Sequence, residues 1–204
     1  MTAVLLWTAV AIAAFHTVIG VDHYLPFVAL GRARRWSLST LLGVTALCGL
    51  GHVLSSALLA AVLIAFGWTA ERLAWIDATR GTLAAWMLVA FGVGYGVWGW
   101  VRAREHSHTL RSASVWAMFL IFAFGPCETL VPLMGAPALA QDWALVGMVA
   151  AVFGTVTIIT MLALTTALHA GLSLSRFRLA ERYEHCAAGA ALATSGLAIV
   201  IFGA

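Results

Sequence analysis

Long apolar runs separated by short arginine-bearing breaks dominate the chain from end to end. A bilayer core takes about 20 residues of helix. Reading the breaks at the arginines gives six runs long enough to cross: residues 2–30, 38–68, 81–101, 115–140, 144–171 and 186–202. Two of the six are punctuated. The first carries Gly20 and Pro26, the fourth carries Gly125, Pro126, Pro132 and Pro137, and these account for all four prolines. Proline removes a backbone donor and opens the turn behind it, which a spanning helix tolerates where the freed carbonyls face protein or a wet cavity.

Because the punctuated runs stand three apart, the chain divides into halves of three helices, 1–101 and 102–204, with opposite orientation. Interrupted helices at corresponding positions of inverted halves point to a transporter's central site. The direct sequence likeness of the halves is slight, as at Gly43 and Gly147 near the starts of the second and fifth runs. The expected fold is all-α: a polytopic membrane protein, a single transmembrane domain over 1–204. It has six transmembrane helices arranged as two inverted three-helix repeats, with both termini outside.

Composition agrees. The chain is 63% apolar and 9% charged, with a mean hydropathy of +0.99, whereas soluble domains run at about 45–50% and about 25%. A soluble enzyme and a disordered chain are both excluded. The eleven basic residues are all arginine and give a formal net charge of +3. Nine of the eleven fall in loops 31–37, 102–114 and 172–185, so the positive-inside rule places those loops in the cytoplasm. That use of charge argues for the cytoplasmic membrane and against nucleic acid. Trp7, Trp36, Trp68, Trp75, Trp116 and Trp143 lie at or near span ends and read as interfacial anchors. Three cysteines, Cys48, Cys127 and Cys186, contain no CxxC pair and make no disulfide framework.

Ionisable residues inside spans are costly and mark function. They are few: His16, Asp22 and His23 in the first run, His52 in the second, Glu128 in the fourth and His169 near the end of the fifth. On a straight helix His16 and His23 share a face about 10 Å apart, too far for one ion with bonds of about 2 Å. Either a bend at Gly20 and Pro26 unites them, or they are successive stations on a path. Imidazole with carboxylate suits Ni, Co or Zn, and the same groups serve a proton relay. Cys48 and His52 lie one turn apart on one face. Cys127 and Glu128 sit between a Gly-Pro break and a second proline. The metal candidates are therefore His16, Asp22, His23, His52, Glu128 and Cys127. His106 and His108 read as solvated loop residues.

The segments HTVIGVDHYLPF, ALCGLGH and FGPCETLVPL resemble elements of the nickel/cobalt transporter superfamily. The likeness is to its six-helix branch of urease-accessory-type and sulfite-exporter-like membrane proteins. The resemblance implies transport of Ni²⁺ or Co²⁺, with metal contact by His16, Asp22, His23 and His52. The family's usual spacing puts four residues between the first His and Asp-His; this chain has five. The Gly-Pro-Cys127 element is also similar to the thiol-electron carriers of cytochrome c biogenesis, which implies an alternative. That alternative is a membrane thiol–disulfide oxidoreductase using Cys48 and Cys127. No P-loop or dinucleotide fingerprint is present. The expectation is a carrier, not an enzyme, with no tightly bound cofactor. Its partners would be the lipid bilayer and a divalent metal ion as substrate, with room for a homo-oligomer.

Overall fold

The computed structural model describes residues 2–66, 70–102, 109–125, 129–174 and 181–202. Among these there is no strand. Eight α-helices follow one another: α1 (Thr2–Ile19), α2 (Leu25–Ala33), α3 (Leu38–Ala65), α4 (Ala70–Arg102), α5 (Thr109–Phe124), α6 (Leu130–Leu139), α7 (Trp143–Leu174) and α8 (Glu181–Phe202). Both punctuated runs are split outright: α1 and α2 divide the first, α5 and α6 the fourth.

Five helices, α1, α3, α4, α7 and α8, carry segments long and apolar enough to cross a membrane. Their outward faces are greasy: Trp7, Phe15, Leu58 and Val101 are each about 70% exposed. A water-soluble monomer rarely exposes so many large apolar side chains together. The chain is a multi-pass membrane protein.

Packing uses small residues where backbones meet, since lipid supplies no hydrophobic drive between helices. The buried residues of α1 are Ala9, Ala13 and Thr17, four apart, a narrow stripe facing α7. The closest pair is α4 with α8: a Cβ on Gly92 would lie 2.4 Å from the Ala193 nitrogen, and one on Gly189 2.5 Å from that of Gly96. α3 lies against α5 and α7. The core falls into two clusters. One gathers Phe27, Leu30, Leu41, Cys48, Met118 and Leu192, the other Ala9, Ala13, Leu130, Met134, Val149 and Phe153.

Three expectations need correction. The third run does not begin at residue 81, because α4 starts at Ala70 and takes in Arg72 and Arg80, both expected in a loop. Arg80 lies in the apolar window Ala78–Val101, so an arginine does enter a span. It can do so because acceptors meet it: its Nη2 donates to the Ala123 carbonyl (3.3 Å) and to Ser55 Oγ (3.5 Å). The sixth run starts earlier than residue 186, with α8 reaching back to Glu181. Trp36 is not an interfacial anchor: it is buried in the first cluster. Trp7, Trp75, Trp116 and Trp143 are exposed as anchors should be, and Trp68 lies outside the described residues.

A polar cluster that the sequence did not announce ties α2, α4 and α8. Arg34 Nε donates to the Tyr95 hydroxyl (3.0 Å), which also bonds His185 Nδ1 (2.8 Å). The guanidinium lies over the rings of Tyr95 and Trp98, a favourable cation–π placement.

Candidate metal-handling centre

The break between α1 and α2 positions the centre. The last α-helical bond runs from Gly20 N to the His16 carbonyl (2.8 Å), and a single 3₁₀ turn over residues 21–23 follows, closed by His23 N on the Gly20 carbonyl (3.0 Å). Pro26 lies in the first turn of α2, where its missing N–H leaves no bond broken. It starts a helix here and does not merely kink one.

The turn shortens the path between the two histidines of the motif. The ring centres of His16 and His23 are 4.8 Å apart, not the spacing of a straight helix, and His52 of α3 brings a third ring 5.4 Å from His23. Asp22 Oδ1 lies 3.4 Å from His23 Nδ1. Four residues singled out in the sequence, His16, Asp22, His23 and His52, thus come together. Glu128 and Cys127 lie outside the described residues, as do His106 and His108. His169 is half-buried near the end of α7.

Tautomers follow from the acceptors. His23 Nδ1 lies 3.1 Å from the Gly20 carbonyl and His52 Nδ1 3.2 Å from that of Phe122. A carbonyl only accepts, so both Nδ1 atoms carry hydrogen, and in the neutral ring each Nε2 then keeps a lone pair. The Nε2 atoms of His16, His23 and His52 are all buried with no hydrogen-bond partner. Imidazole pinned through Nδ1 to a carbonyl, with Nε2 free, is the usual preparation of a metal ligand.

The Phe122 carbonyl has a reason to be available. In a continuing helix it would accept from the nitrogen four residues on, which is Pro126 and has no hydrogen. His52 fills that vacancy, and Arg80 serves the next carbonyl, Ala123. His52→Asn, which keeps a donor for Phe122, should leave thermal unfolding in detergent near wild type. His52→Leu orphans the carbonyl and should cost about 1–3 kcal/mol of stability. Equal melting of the two variants would refute this account.

Two cavities meet at the cluster. One, of about 790 Å³, is bordered by His16, Asp22, His23, Thr129, Ser195 and Ile199. The other, of about 40 Å³, is bordered by Asp22, His52, Gly81, Phe122 and Gly125. Asp22 faces both. The rings are stepped, with planes at 80° and 88° to their neighbours, and do not surround one point. Among the described residues no three His, Cys, Asp or Glu side chains are arranged to close on a single ion.

Sequence reading missed Thr129, whose hydroxyl is buried without a partner at the start of α6 beside the larger cavity. Its position inside the second break was the available signal. Cys48, expected as a redox group in the thiol–disulfide alternative, is a free thiol buried in the first apolar cluster. The chain matches no known family model, and no curated protein or solved structure aligns with it.

Proposed function

We propose that this chain is a carrier of the cytoplasmic membrane, not an enzyme, that moves a divalent transition-metal ion of the Ni, Co or Zn type. The observation that carries this reading is the gathering of three imidazoles and Asp22 at a helix break inside a membrane-spanning bundle, with three Nε2 atoms left without partners. Buried polar groups are nearly always satisfied, so a cluster left in this state is suited to a ligand. One carboxylate offsets part of a dication's charge, and neutral imidazoles suit borderline d-block ions. The stepped rings and the large cavity fit an ion held by a few side chains at a time while water fills its other positions. The resemblance of HTVIGVDHYLPF and ALCGLGH to nickel/cobalt transporter elements points the same way.

Element boundaries support six spans in two inverted halves. α1 ends at Ile19 and α5 at Phe124, α2 begins at Leu25 and α6 at Leu130, α3 begins at Leu38 and α7 at Trp143: an offset of 105 residues at each of these three boundaries. Neighbours repeat as well, since α4 packs on α8, α3 on α7, and the pair α1–α7 is answered by α5–α3. α5 and α6, 16 and 10 residues, together give about 39 Å of helix, enough for a core of about 30 Å. At the same offset Gly125 answers Gly20, and Cys127 and Glu128 answer Asp22 and His23 in sequence. This keeps Glu128 and Cys127 as the second half's contribution. In proteoliposomes with an entrapped chelating dye the protein should carry Co²⁺ or Ni²⁺ inward; vesicles no more permeable than protein-free ones would overturn the reading.

A further inference from the structure

Threonines in these helices, buried or exposed, commonly spend their hydroxyl on their own backbone. Thr17, Thr45, Thr166 and Thr194 each donate to the carbonyl four residues earlier, at 2.7–2.9 Å. This is the ordinary way to satisfy a hydroxyl in an apolar helix. Two threonines of α7 do not follow it. Thr157 and Thr165 are fully buried, and each hydroxyl has no hydrogen-bond partner. Met161, also fully buried, lies between them, and His169 follows one turn on. The four residues stand four apart, so they form one slowly winding face of α7, turning about 120° from Thr157 to His169, and offer in order a hydroxyl, a thioether, a hydroxyl and an imidazole.

That face meets α3 at the level of His52. A Cβ on Gly49 would lie 3.1 Å from Met161 Sδ, and one on Gly154 would lie 2.7 Å from Val53 Cγ1. The contacts run 49 to 161 and 53 to 154, so the two helices are antiparallel. Going on along α7 from this crossing leads past Thr165 and His169 to the helix end at Leu174, after which the sequence carries Arg176 and Arg178. The larger cavity lies elsewhere, against α1 and α8 at His16, Asp22 and His23.

We propose that Thr157, Met161, Thr165 and His169 line the second half of the ion's route, closed in this conformation, leading from the histidine cluster toward the arginine-rich side. The inference rests on the transport reading above. A carrier with one open and one closed half has a cavity on one side of its site and a packed seam on the other. A seam that served only packing would carry apolar residues or self-bonded threonines. Hydroxyl, thioether and imidazole can each replace part of an ion's water shell when the seam opens, the thioether favouring soft ions.

The test is the double variant Thr157→Val, Thr165→Val, which keeps branched shape and removes only the hydroxyls. Deleting a buried unpartnered polar group should leave the melting temperature unchanged or raise it. With Co²⁺ as probe, the visible absorption of the bound ion should be as in wild type, while Co²⁺ flux in proteoliposomes falls at least tenfold. Thr157→Ser with Thr165→Ser should retain flux and guards against an effect of packing. Wild-type flux in the valine variant would overturn the seam while leaving the transport reading intact. Loss of Co²⁺ absorption in that variant would also overturn it, because the hydroxyls would then belong to the first site. A wild-type protein that binds and moves no Co²⁺ would overturn both.

Discussion

Asp22→Asn should reduce Co²⁺ or Ni²⁺ flux by a factor of about one hundred to one thousand while the protein still accumulates in the membrane. Asparagine has the shape of aspartate, so the 3₁₀ turn and the approach of His23 survive; what is lost is one negative charge. A dication entering a cluster of neutral imidazoles then has no counter-charge from Asp22, and desolvating an uncompensated ion is the dominant cost in such a site. One charge pair at about 4 Å and an effective dielectric of about 20 is worth about 4 kcal/mol, close to three powers of ten. Because Asp22 borders both cavities, the missing charge is felt from either one. Initial rates in proteoliposomes at matched protein content decide the matter. Flux within threefold of wild type would remove Asp22 from the mechanism.

Gly20→Ala should be nearly as damaging, for a steric reason. Gly20 has φ −71° and ψ 87°, a conformation open to residues other than glycine, so backbone freedom is not why glycine stands here. Space is. An added Cβ would lie 2.5 Å from His23 Nδ1, 2.9 Å from its Cε1 and 3.0 Å from Asp22 Oδ1. The ring must swing away, losing its bond to the Gly20 carbonyl and the aim of Nε2 together. Flux and Co²⁺ affinity should each fall at least tenfold, with helix content by circular dichroism unchanged. Gly147→Ala is the control, since a Cβ there meets nothing within 4 Å. If the two alanine variants behave alike, the crowding argument fails.

Much of the architecture was legible in the chain because membrane helices are specified locally. A run of about 20 apolar residues needs no partner to become helical in lipid, where every backbone group must be satisfied within the segment. Gly20 and Gly125 marked both breaks to the residue. The arginines misled at Arg80, because a charge read as a loop marker can enter a helix once acceptors such as the Ala123 carbonyl and Ser55 receive it. Trp36 misled similarly: an indole near a span end reads as an anchor, and only packing of neighbouring helices buried it.

The site divides along the same line. Residue type by itself determined that His16, Asp22, His23 and His52 are the groups to watch, because ionisable side chains in an apolar span are too costly to be incidental. Sequence left open whether His16 and His23 meet, since that depends on whether the helix continues through Gly20. The tertiary structure decided it: the 3₁₀ turn folds His23 back toward His16, and α3 brings His52 alongside. Only the fold could also show that Pro126 frees the carbonyl that orients His52, or that Thr157 and Thr165 lack the bonds their neighbours make. Which groups lie in the membrane is a property of each segment and its solvent. Which atoms face one another depends on how segments far apart in the chain pack, and the sequence of one segment does not carry that information.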